Sequence, residues 1–151
     1  MTDFRLRKAW MVHVDGYDAP EIEFGPNAGK IRRRVQLYFD HDVAFSAIHV
    51  RRCQSADVQL PVQDALALSL SIQERDALLH AHGSTCGDVN KAGYRDYFFT
   101  RRDDLTLCAL ETKGLMRAAG QSALAEAGDV YFITTDDGKR VADSLTPEYN
   151  P

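Results

Sequence analysis

The chain is 151 residues long, 44% hydrophobic and 26% charged, with a formal net charge of −4. Such a composition can bury an ordinary core as one domain or two small ones. No apolar run approaches the ~18 residues that cross a bilayer, and MTDFRLRKAW lacks the apolar segment of a signal peptide, so the expectation is a cytoplasmic protein with no membrane partner.

The charge is uneven. Residues 1–58 hold nine Lys/Arg against eight Asp/Glu, and residues 59–151 hold nine against fourteen. Neutralising phosphates supplies most of a nonspecific nucleic-acid affinity, so the acidic back half argues against tight binding there and leaves room only for a local basic patch. Cys53, Cys86 and Cys108 lie 33 and 22 positions apart, which fits free thiols rather than a secreted disulfide framework.

In KAWMVHVDGYDAPEIEF, Trp10, Val12 and Val14 alternate with Met11 and His13, Asp15-Gly16 marks a turn, and Ile22 and Phe24 resume the period of two. That pattern predicts a hairpin. Pro26 then precedes a helix whose apolar stripe is Ala28, Ile31, Val35 and Tyr38 or Phe39. AFSAIHVRR predicts a third strand with Ile48 and Val50 on one face and His49 and Arg51 on the other. Residues 1–58 therefore read as a small β-β-α-β unit.

Residues 59–71, with Pro61 and little charge, read as a linker or as a short helix through Val62, Leu66 and Leu70. Ser71-Ile72-Gln73-Glu74 has the form of a capping box and opens a helix that Gly83 stops, with Leu78 and Leu79 inward. STCGDVNKAGYRDYFFTRR reads as a loop with aromatic anchors at Tyr94, Tyr97, Phe98 and Phe99. Asp103 or Asp104 caps a helix with Leu105, Cys108, Ala109 and Thr112 on one side, and Gly114 ends it. Strands follow at Leu115-Met116 and at 130–134, and Asp136 is expected to cap a last helix through Leu145. The whole is an α+β chain, with a second domain over 72–146 and a tail over 147–151.

LETKGLMR and VYFITTDDGKRVA resemble the closing half of winged-helix domains, with Leu-x-x-x-Gly-Leu ending the recognition helix and Thr-x-x-Gly-Lys after the second wing strand. LLHAHG, YRDYFFT, DLTLCALETKGLM and AGDVYFITTDDGK, in that order, resemble small phage and prophage proteins of uncharacterised function, over roughly residues 72–143. The resemblance implies a winged-helix-like fold and a phage setting in a bacterial host cell. It implies no activity and no site residue.

A DNA-reading helix presents Arg, Lys, Asn or Gln to base edges and keeps cations on its wing. Here Asp103, Asp104 and Thr106 stand at the front, Gln121 to Glu126 offer no cation, and only Arg101, Arg102 and Arg117 lie nearby. Carboxylates suit a helix N-terminus but repel phosphates. A protein partner fits better, with Asp103, Asp104 and Leu124 as possible contacts. A second basic feature, Lys30, Arg33 and Arg34 with Arg51 from the third strand and Arg5, Arg7, Lys8 and Arg52 nearby, could meet RNA, DNA or an acidic protein surface, or be a solvated helix face.

Metal chemistry would rest on His80, His82 and Cys86, yet helix residues two apart diverge by about 200° and the spacing matches no usual zinc pattern. GPNAG lacks the end of a P-loop, and Ser, Cys, His and Asp occur without a nucleophile elbow. No catalytic residue and no cofactor is expected. The favoured function is noncatalytic binding and modulation of a host or phage protein, with inhibition of a bacterial defence system as one concrete role. The main alternative is a nucleic-acid-binding regulator using the Lys30–Arg34 face or Arg101 and Arg102. An enzyme with an unrecognised site ranks third.

Overall fold

A computed structural model describes residues 3–17, 19–84, 89–120 and 128–149. Its contacts divide the chain into two compact units, residues 1–60 with 148–151, and residues 61–147. Both contain helices and antiparallel strands, so the α+β class holds. Among the described residues, no helix is long and apolar enough to cross a membrane.

The first unit contains β1 (Phe4–Arg7), β2 (Ala9–Val14), β3 (Glu21–Phe24), α1 (Ala28–Tyr38), β4 (Ile48–Arg52) and β5 (Val58–Pro61). Strand β2 is central in an antiparallel sheet of order β3-β2-β4, with Met11 opposite both Ile22 and Arg51. Helix α1 starts where the Asn27 side chain accepts the Lys30 N–H at 2.9 Å. It ends in a reversal at Asp40 and His41, both with positive φ. Ile31 and Val35, one turn apart, bury against Val12, Val14 and Ile48, which one strand face supplies by alternation. Phe39 completes that stripe, whereas Tyr38 is 83% exposed. Arg52 then forks onto Asp57 at 2.6 and 2.5 Å, and Asp57 also accepts the Ala9 N–H, tying β4 to the start of β2.

The second unit contains α2 (Ala65–Leu68), α3 (Ile72–His82), β6 (Tyr97–Arg101), α4 (Leu105–Thr112), β7 (Met116–Ala118), β8 (Asp129–Thr134) and α5 (Asp136–Leu145). Its sheet is antiparallel, in the order β6-β8-β7. Val130 and Phe132 on β8 and Met116 on β7 form one buried cluster with Leu78 of α3, Leu107 and Leu110 of α4 and Val141 of α5. The helices thus cover one face of the sheet. The Ser71–Glu74 capping box is formed, and Gly83, at φ +88°, closes α3 in a left-handed cap.

Several expectations change. Of the two readings of residues 59–71 the short helix is found, together with an unexpected strand: β5 pairs with β1, and α2, capped by Asp64, places Ala67 in the second unit's core, which Leu70 just after it joins. The tail returns to the first unit, where the Tyr149 hydroxyl accepts the Lys8 N–H at 3.1 Å and donates to the Leu6 carbonyl at 3.3 Å. The aromatic loop is in part strand β6. Helix α4 buries Leu107 and Leu110 and leaves Leu105 85% exposed, a different phase from the stripe expected. Thr135, rather than Asp136, caps α5. Between β6 and β7 the only helix is α4, reached directly through residues 102–104. A helix-turn-helix needs a second helix at that point, and the described residues hold none.

Candidate functional site

The expected basic face is divided. Lys30 and Arg33 are exposed on α1, but Arg34 is half-buried and donates to Glu23 at 2.5 Å and to the Phe24 carbonyl at 2.7 Å. Ile48 and Val50 pack toward α1, so alternation sends His49 and Arg51 to the opposite side of the sheet. Lys30, Arg33, Arg34 and Arg51 therefore do not line one continuous surface.

The front of α4 is also engaged locally. Arg101 pairs with Asp103 at 3.1 Å. Asp104 accepts the Leu107 N–H at 3.0 Å as helix cap. Arg102 pairs with Glu111 at 2.8 Å and lies 5.5 Å from the centre of the Phe132 ring, while Glu111 also accepts the Ala118 N–H at 3.0 Å. These charges join β6, α4 and β7 to one another. Leu124 lies outside the described residues.

A site that the sequence did not announce lies between α3, α4 and β6. It is an open groove of about 730 Å³. Ala77, Leu79, Phe98 and Leu107 give it an apolar floor, and Asp76, Asp104, Gln73 and Thr106 give it a polar, acidic rim. Ile72 and Leu105, each next in sequence to a lining residue, are 74% and 85% exposed. His80 lies against Phe98, with ring centres 4.7 Å apart, and burial followed by the nearby Arg95 guanidinium holds its pKa below the ordinary histidine value. Arg95 donates to the His80 carbonyl, and the Ser84 hydroxyl donates to the Leu79 carbonyl at 3.3 Å. Chemically this arrangement suits binding: apolar contact below, carboxylates above, and a histidine held toward its neutral form.

The sheet of the same unit has a second surface. Val130, Phe132 and Thr134 point to the core, so Tyr131 and Ile133 point away, alongside Tyr97, Phe99 and Arg101 of β6 and Arg117 of β7. Tyr131 contacts Phe99 and Tyr97, with ring centres 4.7 and 5.6 Å apart. Expecting a loop hid this set, because Tyr-Phe-Phe is aromatic on both faces and shows no period of two. The β preference of the run was the available signal.

His80 and His82 diverge as helix geometry requires. His82 is buried, its Nε2 2.8 Å from Asp143 of α5, while His80 faces the groove. Cys86 lies outside the described residues. Among those residues no group of three or more His, Cys, Asp or Glu side chains is placed to hold a metal ion. In comparison with known proteins, no family model, curated protein or solved structure matches the chain.

Proposed function

We propose that the protein is a noncatalytic binding protein that seats a segment of a protein partner in the α3–α4 groove and so modulates that partner. The observation that carries this is the pairing of an apolar floor with Asp76 and Asp104 on the rim, next to exposed Ile72 and Leu105. An amphipathic helix bearing Lys or Arg beside its apolar stripe is the complementary shape and charge. The resemblance to phage and prophage proteins supports a host or phage protein as partner, with inhibition of a bacterial defence system as one role. Duplex reading by α4 is disfavoured, because Asp103 and Asp104 stand at its front and Arg102 is drawn to Glu111.

Titration of the full chain with an amphipathic Leu/Lys peptide of about 18 residues, and with its Leu/Glu counterpart, tests the groove. The Lys peptide is expected to bind, and Asp76→Lys and Leu105→Asp each to weaken it roughly tenfold, about 1.4 kcal/mol. Equal binding of the Glu peptide, or indifference to both substitutions, would remove the groove from consideration.

A further inference from the structure

We infer that the outer face of the β6-β8-β7 sheet binds single-stranded nucleic acid by base stacking, a function separate from the groove. Tyr97 and Phe99, two apart on β6, and Tyr131 on the adjacent central strand project from one face, with Tyr97 42% and Phe99 43% exposed. Soluble proteins keep most aromatic area inside, so three neighbouring rings on an open sheet face call for a ligand with large flat apolar surfaces. Unpaired bases supply such surfaces, and stacking on ring faces tolerates any base. Bases in a duplex already stack on one another and do not offer them.

Cations border the rings. Arg117 on β7 is exposed and has no ion pair among the described residues, and it stands across β8 from Tyr97, both being register partners of Ile133. Arg95 lies over Tyr97, 5.3 Å from the ring centre, just before β6, with its guanidinium held by the His80 carbonyl. Arg101 is on the same face, and its pair with Asp103 is about three-quarters exposed on both sides, at 75% and 73%. An ion pair in that setting is worth little, so the guanidinium is free to exchange onto a phosphate. Asp129 opposes Arg101 at one corner, which puts the favourable path for the backbone along the Tyr97–Arg117 row. The three strands span roughly 10 Å, and three rings accommodate two or three bases. With so few phosphates contacted, binding is modest and its salt dependence shallow.

Fluorescence anisotropy on the full chain, with labelled oligo-dT and oligo-U of about 12 nucleotides and a duplex of equal length, tests this. The single strands are expected to bind saturably, at least about tenfold tighter than the duplex, and to weaken roughly tenfold between about 50 and 200 mM salt. Phe99→Ala and Tyr131→Ala are each expected to weaken binding about tenfold, Arg117→Glu to weaken it and flatten the salt dependence, and Lys30→Glu and Leu105→Asp to leave it unchanged. Circular dichroism checks that each variant is folded, and Tyr97→Ala substitutes for any ring variant that is not. No saturable binding at low salt, equal binding of duplex, or indifference to both Phe99→Ala and Arg117→Glu overturns the proposal. It is also overturned if these substitutions abolish retention of a protein partner while no oligonucleotide binds, since the face is then a protein interface.

Discussion

Glu74 shows how much one buried side chain can connect. It accepts the Ser71 N–H at 2.7 Å, completing the cap of α3, and takes the Lys113 ammonium at 2.6 and 2.7 Å from beyond α4. Burial, the largest influence on its pKa, pushes it up, but the bonds from Lys113 and Ser71 together outweigh that and leave it below the ordinary value. Asp57 is lowered by Arg52 and then by the Ala9 N–H, and Asp64 by the Ala67 N–H and then by Arg140. A carboxyl with a depressed folded pKa stabilises the fold above its unfolded value and loses that contribution as pH falls through the folded one. His80 is depressed too, so the unfolded chain takes its proton first as pH drops below about 6.5. Urea unfolding is therefore expected to show a small loss of stability below about pH 6.5 and a larger one below about pH 4. Glu74→Ala is expected to cost about 2 to 3 kcal/mol at neutral pH and to flatten the acid limb, because it removes a cap and leaves Lys113 unpaired. An unchanged acid limb in that variant would show that Glu74 does not carry it.

At the scale of elements, close approaches decide what local preference cannot. Gly138 lies inside α5, where alanine ordinarily favours a helix by about 1 kcal/mol. A Cβ at this position would collide with the Leu115 carbonyl, which also accepts the Thr135 N–H that begins α5. Gly138→Ala is expected to reverse the usual sign and lower stability by about 2 kcal/mol or more in urea denaturation, whereas a gain would show that α5 can move off β7. Gly114 and Gly16, with positive φ and open space around them, matter for their backbone conformation alone. The same tight seating explains the phase of α4. LTLCAL offers apolar residues all around the helix, and only the positions of β8 and α3 select Leu107 and Leu110 for the core, leaving Leu105 exposed beside the groove residues Asp104 and Thr106.

Across the whole molecule, the chain builds most of the first unit, completes the second, and returns to the first in its last residues. Tyr149 holds that return through two hydrogen bonds within the first unit. Tyr149→Phe is expected to lower stability by about 1 kcal/mol while leaving binding at the α3–α4 groove and the β6-β8-β7 face intact, since both lie in residues 61–147. Comparing thermal unfolding with peptide and oligonucleotide titrations of the same variant checks this, and a loss of binding would mean that function depends on how the first unit is closed. In the acidic half, Glu74, Glu111 and Asp64 pair with Lys113, Arg102 and Arg140, and Asp76 and Asp104 at the groove carry acidic charge into the proposed function.

Sequence by itself determined the elements with one clear period or one clear stop. The hairpin and third strand around Val12, Val14 and Ile48, the α1 stripe of Ile31 and Val35, and the Ser71–Glu74 cap closed by Gly83 were all legible, because alternation, helical spacing and capping are local. The α+β class followed from them. Tertiary structure alone decided the rest. Tyr97, Phe99 and Tyr131 became a surface because β6 and β8 pair in register. Arg51 left the basic face because the parity of β4 is set by which side α1 covers. Glu111 turned inward because the Ala118 N–H of β7 and Arg102 reach it, whereas the Asp104 cap is made within one turn of its own helix. Which side of a sheet a ring or a charge lands on depends on pairings between segments distant in sequence, and no local pattern encodes those pairings.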